Sequence, residues 1–220
     1  MEVRSAGSHC RFARLGWGLM NVQEALDAWQ AQYTGQPPVG FMLRFSHDAV
    51  WTRLNSLGER DEATDSAVAQ AAARFDAVAS ALFTGATVLV LALEIEPSED
   101  DVAMLRTLGI DPMTPPDSWI EALSAYLPDP GRVEYRATTL TWRRGCLDTL
   151  WLAVANDLIG RIAVFCPATG DAFLPYGGLA DLFIWGTDRR AKVRDRFREW
   201  LPNGTSTAVP TRVLAGARRG

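Results

Sequence analysis

Thr87-Val88-Leu89-Val90-Leu91-Ala92-Leu93-Glu94-Ile95 carries β-branched and aliphatic residues on both alternations of a strand. A strand covered on one face alternates apolar with polar residues. One that is apolar at successive positions is covered on both faces, and so belongs at the centre of its sheet. Arg161 to Cys166 reads the same way, as a second buried strand. Both segments should be central strands of one sheet, buried on both faces.

Outward from that centre, helices and strands do not alternate strictly. Upstream, Val68, Ala72, Phe75, Ala79, Leu82 and Phe83 fall in one narrow stripe at helical spacing, and Thr84-Gly85 stops the helix. Downstream, Ser98 with Asp101 and Ser118 with Glu121 have capping-box spacing and mark two short helices, near Glu99–Leu108 and Trp119–Leu127. The three prolines between Asp111 and Pro116 call for irregular chain. Gly131–Trp142 is expected as a long half-exposed strand. Leu147, Leu150, Trp151, Val154 and Leu158 form another helical stripe. Asp171–Leu174 and Ala180–Trp185 should pair through the turn residues Pro175–Gly178. A last helix is expected over Asp188–Leu201, ending at Pro202-Asn203-Gly204.

At the other end, Asn21 and Glu24 form a capping box, and Val22, Ala25, Leu26, Trp29 and Tyr33 share one helical face. Val39–Ser46 reads as a strand and Val50–Leu54 as a second short one, followed by an acidic, polar loop over Gly58–Asp65. The whole is an α+β domain: an antiparallel or mixed central sheet with helices packed on it, built around a single core. Its expected bounds are residues 20–204. Residues 1–19 form a flexible arm, or a stretch gained by placing the start ahead of Met20, and residues 205–220 form a disordered tail.

Composition narrows the function classes. At 220 residues the chain can bury a core without disulfides or metal. Its 48% hydrophobic and 22% charged residues are those of a globular protein, and a net charge of −4 gives no general attraction to nucleic acid or anionic membranes. Lys192 is the only lysine, a bias that fits a GC-rich coding sequence. Cys10, Cys146 and Cys166 are odd in number and form no CxxC pair, so reduced thiols and a cytoplasmic location are expected. The apolar run Val88–Leu93 is far too short to span a bilayer, and residues 1–19 hold no continuous apolar signal core.

No reaction is written in the chain. There is no P-loop, no GxGxxG after a strand, no GxSxG and no SxxK. His9 and His47 are the only imidazoles; His47-Asp48 follows an apolar segment where a turn is expected. Glu94, Glu96, Glu99, Asp100 and Asp101 cluster, and Glu94 and Glu96 share one side of a strand end. Such a pair can do acid–base work or hold a divalent cation, but a solvated strand edge leading into a capped helix is the plainer reading. The final helix carries six basic residues between Arg189 and Arg198, yet Asp188, Asp195 and Glu199 hold its most exposed pole. A nucleic-acid helix would place cations there. Of eight tryptophans, Trp29, Trp119, Trp151 and Trp200 lie on or beside apolar stripes, so most are expected in the core, with a minority open to a ligand pocket or a protein interface.

Tyr176-Gly177-Gly178-Leu179-Ala180-Asp181 introduces a resemblance. The C-terminal half resembles an uncharacterised bacterial domain family whose members carry a Tyr-Asp-Gly-Gly-Ala-Asp-like or Tyr-Asp-Asp-Arg-Gly-x-Asp-like turn before a strand. A helix ending in Trp-Leu follows, as Trp200-Leu201 does here. Pro38-Val39-Gly40-Phe41-Met42-Leu43-Arg44, followed by Trp51 and Leu57, is similar to that family's opening. The resemblance implies a bacterial origin and a compact α+β domain but no activity, and Gly177 stands where the family has its first turn aspartate.

Tyr176, Gly177, Gly178 and Asp181 are therefore the candidate binding residues, with no catalytic residue, metal ligand or cofactor nominated. The expected function is non-enzymatic: a cytosolic protein that binds a protein partner, of immunity or accessory type. The alternative is a small-molecule hydrolase or a metal-dependent enzyme working through carboxylates or His47.

Overall fold

A computed structural model describes residues 20–56, 64–127 and 131–202. The arm over residues 1–19, the tail over 205–220, Leu57 and most of the acidic loop lie outside the described residues. In chain order the elements are α1 (Val22–Tyr33), α2 (Gly40–Ser46), β1 (Trp51–Asn55), α3 (Asp65–Phe83), β2 (Thr87–Ile95), α4 (Glu99–Thr107) and β3 (Asp111–Pro112). Then come α5 (Asp117–Tyr126), β4 (Val133–Thr141), α6 (Asp148–Ala155), β5 (Arg161–Phe165), β6 (Ala172–Tyr176), β7 (Leu179–Phe183) and α7 (Thr187–Arg196). The strands form one sheet in the order β1-β7-β6-β5-β2-β4-β3, and every neighbouring pair is antiparallel.

β2 pairs with β4 on one side and β5 on the other, and both of its faces are buried. Successive side chains of a strand point to opposite faces. Val88, Val90 and Ala92 accordingly enter one layer of the core with Phe75 of α3 and Trp151 of α6, while Leu89, Leu91 and Leu93 enter the layer on the sheet's other face with Trp29 of α1 and Trp119 of α5. β5 divides likewise: Ile162 and Val164 go to the first layer, Ala163 and Phe165 to the second. The expectation of two interior strands is met. Each large side chain fully buried in these layers contributes roughly 1.5–3 kcal/mol of transfer free energy.

The helix ends follow from local chemistry. Asn21 and Glu24 make the full capping box of α1, and Ser98 and Asp101 that of α4. Each such cap is worth about 1 kcal/mol. On α7, Val193 and Phe197 are buried and Asp188, Asp195 and Glu199 are exposed, as the helical phase requires. The helix itself stops at Arg196, and a 3₁₀ turn over Arg198–Trp200 stacks Trp200 on Phe197 at 4.9 Å.

Several expectations are corrected. Val39–Ser46 is not a strand; residues 40–46 are helix α2, which buries Met42 and Leu43 and turns Phe45 outward. A short apolar run fits either period, and after Val39 this one holds no β-branched residue to favour a strand. Ser118 and Glu121 do not cap α5. Pro116 is its N-cap and Asp117 already lies in its first turn, so the helix begins two residues earlier. Asp111–Pro112 is a two-residue edge strand on β4. Leu158 leaves the α6 stripe because the helix ends at Ala155 and Asp157 takes a positive φ, which exposes Leu158. Pro175 and Tyr176 lie within β6, not in the turn.

Candidate functional site

The β6–β7 connection is a two-residue turn. Tyr176 pairs with Leu179, and Gly177 and Gly178 between them have φ of 32° and 81°. Only glycine adopts that backbone cheaply, and a Cβ at Gly177 would lie 2.7 Å from Asp157 Oδ1. The turn sets the register, and the register builds the site. Asp181 lies opposite Leu174, two residues before Tyr176, so Asp181 and Tyr176 are diagonal neighbours on one face. On its other side Asp181 lies opposite Arg53 of β1, and Trp51 follows on the same face at period two.

The side chains meet as this pairing dictates. Asp181 Oδ1 accepts hydrogen bonds from Trp51 Nε1 at 2.8 Å and Arg53 Nε at 3.0 Å. Its Oδ2 accepts from Tyr176 Oη at 3.1 Å and Arg53 Nη2 at 3.3 Å. Asp181 is 1% exposed and Arg53 6%. Burial works against the Arg53 charge, but the hydrogen bond and charge of Asp181 more than offset it, so the guanidinium is held above its ordinary range. Burial, and then the Asp181 charge, push the Tyr176 phenol well above its usual value, so Tyr176 is a neutral donor.

Helix α2 covers this centre at its first residue: a Cβ at Gly40 would come within 2.7 Å of Asp181 Oδ2, a second place where only glycine fits. The outward side of α2 then presents Phe41, Arg44 and Phe45 at spacings of three and four. Phe41 packs on Tyr126 of α5 with ring centroids 4.7 Å apart. The Arg44 guanidinium lies over Phe45 at 5.4 Å and over Trp51 at 5.2 Å, and Arg53 lies over Trp51 at 5.3 Å and Tyr176 at 5.8 Å. Phe45 is 66% exposed and Tyr126 47%. The result is a continuous aromatic and arginine surface, anchored from below by Asp181.

All four sequence candidates, Tyr176, Gly177, Gly178 and Asp181, thus come together. Trp51, Arg53, Arg44, Phe45 and Gly40 are the residues that sequence reasoning missed. The available signal was one charge in each of two short strands, Arg53 in Trp51–Asn55 and Asp181 in Leu179–Phe183, with opposite signs.

The other candidates separate. His47 caps α2 through its backbone, and its ring lies 5.3 Å from Tyr33 and 5.7 Å from Trp185. Burial lowers its pKa, so it sits as a neutral ring among aromatics. Glu94 and Glu96 part company. Glu96, at positive φ, is exposed and accepts from the Arg132 amide at 2.7 Å. Glu94 is buried, not solvated as expected, because it turns under the Gly160 amide, which donates to it at 3.2 Å. Burial raises the Glu94 carboxyl to about 7 against the opposing Arg161 charge and Gly160 hydrogen bond, with Asp101 adding to the rise. The neighbouring cavity of about 340 Å³ is lined by Pro97, Ser98, Glu99, Val102, Ala103, Arg106 and Arg132, and Glu94 is not in its wall. Among the described residues, no group of three or more His, Cys, Asp or Glu is placed to hold a metal ion. Nor is any described helix long and apolar enough to cross a membrane.

The model of a domain of unknown function, DUF3885, matches residues 32–204. No curated protein matches the chain, and no solved structure does.

Proposed function

We propose that this chain, which belongs to the DUF3885 family, is a non-enzymatic binding protein that recognises another protein through the outer side of α2 and the adjoining strand β1. One observation carries the reading: Tyr126, Phe41, Phe45, Arg44 and Trp51 form one partly exposed surface. Aromatic residues and arginine are the types that dominate binding energy where proteins meet. The Asp181 centre beneath supports this role, since its hydrogen bonds tie β1, β6 and β7 together and leave the surface little freedom to adjust. We place the protein in the bacterial cytoplasm, acting as an immunity or accessory protein that masks its partner. For an enzyme working through Glu94 or His47, neither residue lines the cavity beside Pro97 and Arg132 or the one beside Met113 and Tyr135.

The test is capture from native lysate with tagged wild type, Phe45→Asp, and the control Leu158→Asp, whose leucine is also exposed and follows α6, a helix packed with Phe75 and Phe173. A stoichiometric partner, retained by wild type and Leu158→Asp and lost by Phe45→Asp, is the expected result. Equal retention by all three would remove this face from the account.

A further inference from the structure

We infer that the outer edge of β4 is a separate docking site, where a protein partner lays a short extended segment against Val133 and sets one apolar side chain on α5. β4 is nine residues long, yet its outer neighbour β3 pairs only with Ala137 and Arg136. Two hydrogen bonds fix which main-chain groups face which way. The Glu96 N–H donates to the Arg132 carbonyl at 2.8 Å, so the main-chain groups of Arg132, Glu134 and Arg136 face β2. The Met113 N–H donates to the Tyr135 carbonyl at 2.9 Å, so those of Tyr135 and Val133 face outward.

Carried onward, the register of β3 sets Pro115 opposite Val133. Proline has no N–H to give, and the chain turns away there into α5 through its N-cap, Pro116. The ladder stops. Among the described residues no group bonds the Val133 N–H or C=O. Val133 is partly exposed, and it lines with Pro115 a cavity of about 580 Å³. Met113, Ile120 and Leu123 make an apolar wall of that cavity, and Glu134 and Arg136 lie on its other side.

A donor and an acceptor on one strand residue, both turned to an open edge, are satisfied together by one residue of an extended polypeptide. Side chains alternate along a strand. The residue paired with Val133 therefore points its side chain to the α5 face, among Met113, Ile120 and Leu123, and its neighbours point theirs to the face of Glu134. The occupant is an extended segment with an apolar residue between polar ones.

A phage-displayed library of random dodecapeptides, selected on the full-length wild type, tests this. Enriched peptides should share one apolar residue. The leading synthetic peptide should bind Ile120→Asp roughly tenfold more weakly, and Phe45→Asp as well as wild type. N-methylation of the peptide reads the ladder without altering the protein. Methylating the amide of the shared apolar residue removes the donor to the Val133 carbonyl and should cost roughly tenfold in affinity. Methylating the next amide, which points away from β4, should cost far less. Val133→Pro deletes the outward N–H and spares the β2 ladder, so it should weaken binding to a similar degree; if that variant does not fold, the two methylated peptides decide. Equal losses at successive amides, binding that ignores Ile120, or a library that enriches nothing would overturn the site. Peptides lost on Phe45→Asp that keep their affinity for Ile120→Asp belong to the α2 face: the proposed function then stands and this inference falls. Self-association of the wild type that Val133→Pro abolishes would name a second copy as the occupant, and would also overturn the inference.

Discussion

Asp181 and Glu94 are both strand carboxylates, 1% and 6% exposed, and they are treated in opposite ways. Asp181 receives N–H and O–H donors from three residues on two strands, including two from Arg53. Glu94 receives the Gly160 and Arg161 backbone amides and the charge of Arg161, and burial outweighs all three, which raises its carboxyl to about 7. Two acids at similar depth thus differ in the donors that their neighbours supply. Asp181 faces three side chains that donate to it, whereas Glu94 lies at a strand end and is served by backbone amides.

The sharpest way to break this contrast is Asp181→Ala. It leaves the Arg53 charge buried without its anion and strips a partner from Trp51 and Tyr176, so a loss of about 3–5 kcal/mol is expected in urea denaturation at neutral pH. A loss below about 1 kcal/mol would mean that Arg53 finds water and that the centre is less closed than its geometry indicates. Asp181→Asn should also destabilise, since an amide cannot meet the same donors. An Asn variant that is fully stable yet binds no partner would assign Asp181 to recognition and not to support.

Glu94 should show its difference through pH. Its folded value, about 7, lies above the ordinary 4.5, so the folded state holds the proton more tightly than the unfolded one. Stability from this group is thus complete below about pH 4.5 and is lost as pH rises through 7, by on the order of 2–3 kcal/mol by pH 8. Glu94→Gln should flatten the melting temperature between pH 5 and 8 relative to wild type. Parallel curves for the two proteins would show that Glu94 is as well served as Asp181.

The turn that delivers Tyr176 to Asp181 sharpens the comparison at a smaller scale. Gly178→Ala imposes a side chain on φ 81° and should cost somewhat more than about 1 kcal/mol in the same denaturation assay. Partner binding should fall only in proportion to unfolding. The smallest effect belongs to an exposed acid: Asp195→Lys, on the outward pole of α7, should shift stability by less than about 0.5 kcal/mol.

What could be read from the chain, and what could not, follows the range of the interactions. β2 and β5 were legible because aliphatic side chains at successive positions leave one physical solution. The caps of α1 and α4 were legible because they close within three residues. α2 was not, since its seven residues suit either period and its helical state is tied to Gly40 approaching Asp181. Half of the site was legible, the half created by a local turn. Arg53 and Trp51 were not, because nothing near residue 51 announces that β1 will lie against β7. The burial of Glu94 was missed for the same reason: it depends on Gly160, 66 residues away.

The pairing of β1 with β7 also sets a schedule. Arg53 and Asp181 are 128 residues apart, so at a synthesis rate of roughly 5–20 residues per second about 6–25 seconds separate the emergence of one from the other. During that interval Trp51 and Leu54 have no strand to join, while β2 can already meet β4 and then β5. Edge strand β1 is therefore the last piece of the sheet to find its place on the ribosome. The surface that α2 and β1 share is completed only once residues 179–183 have been made.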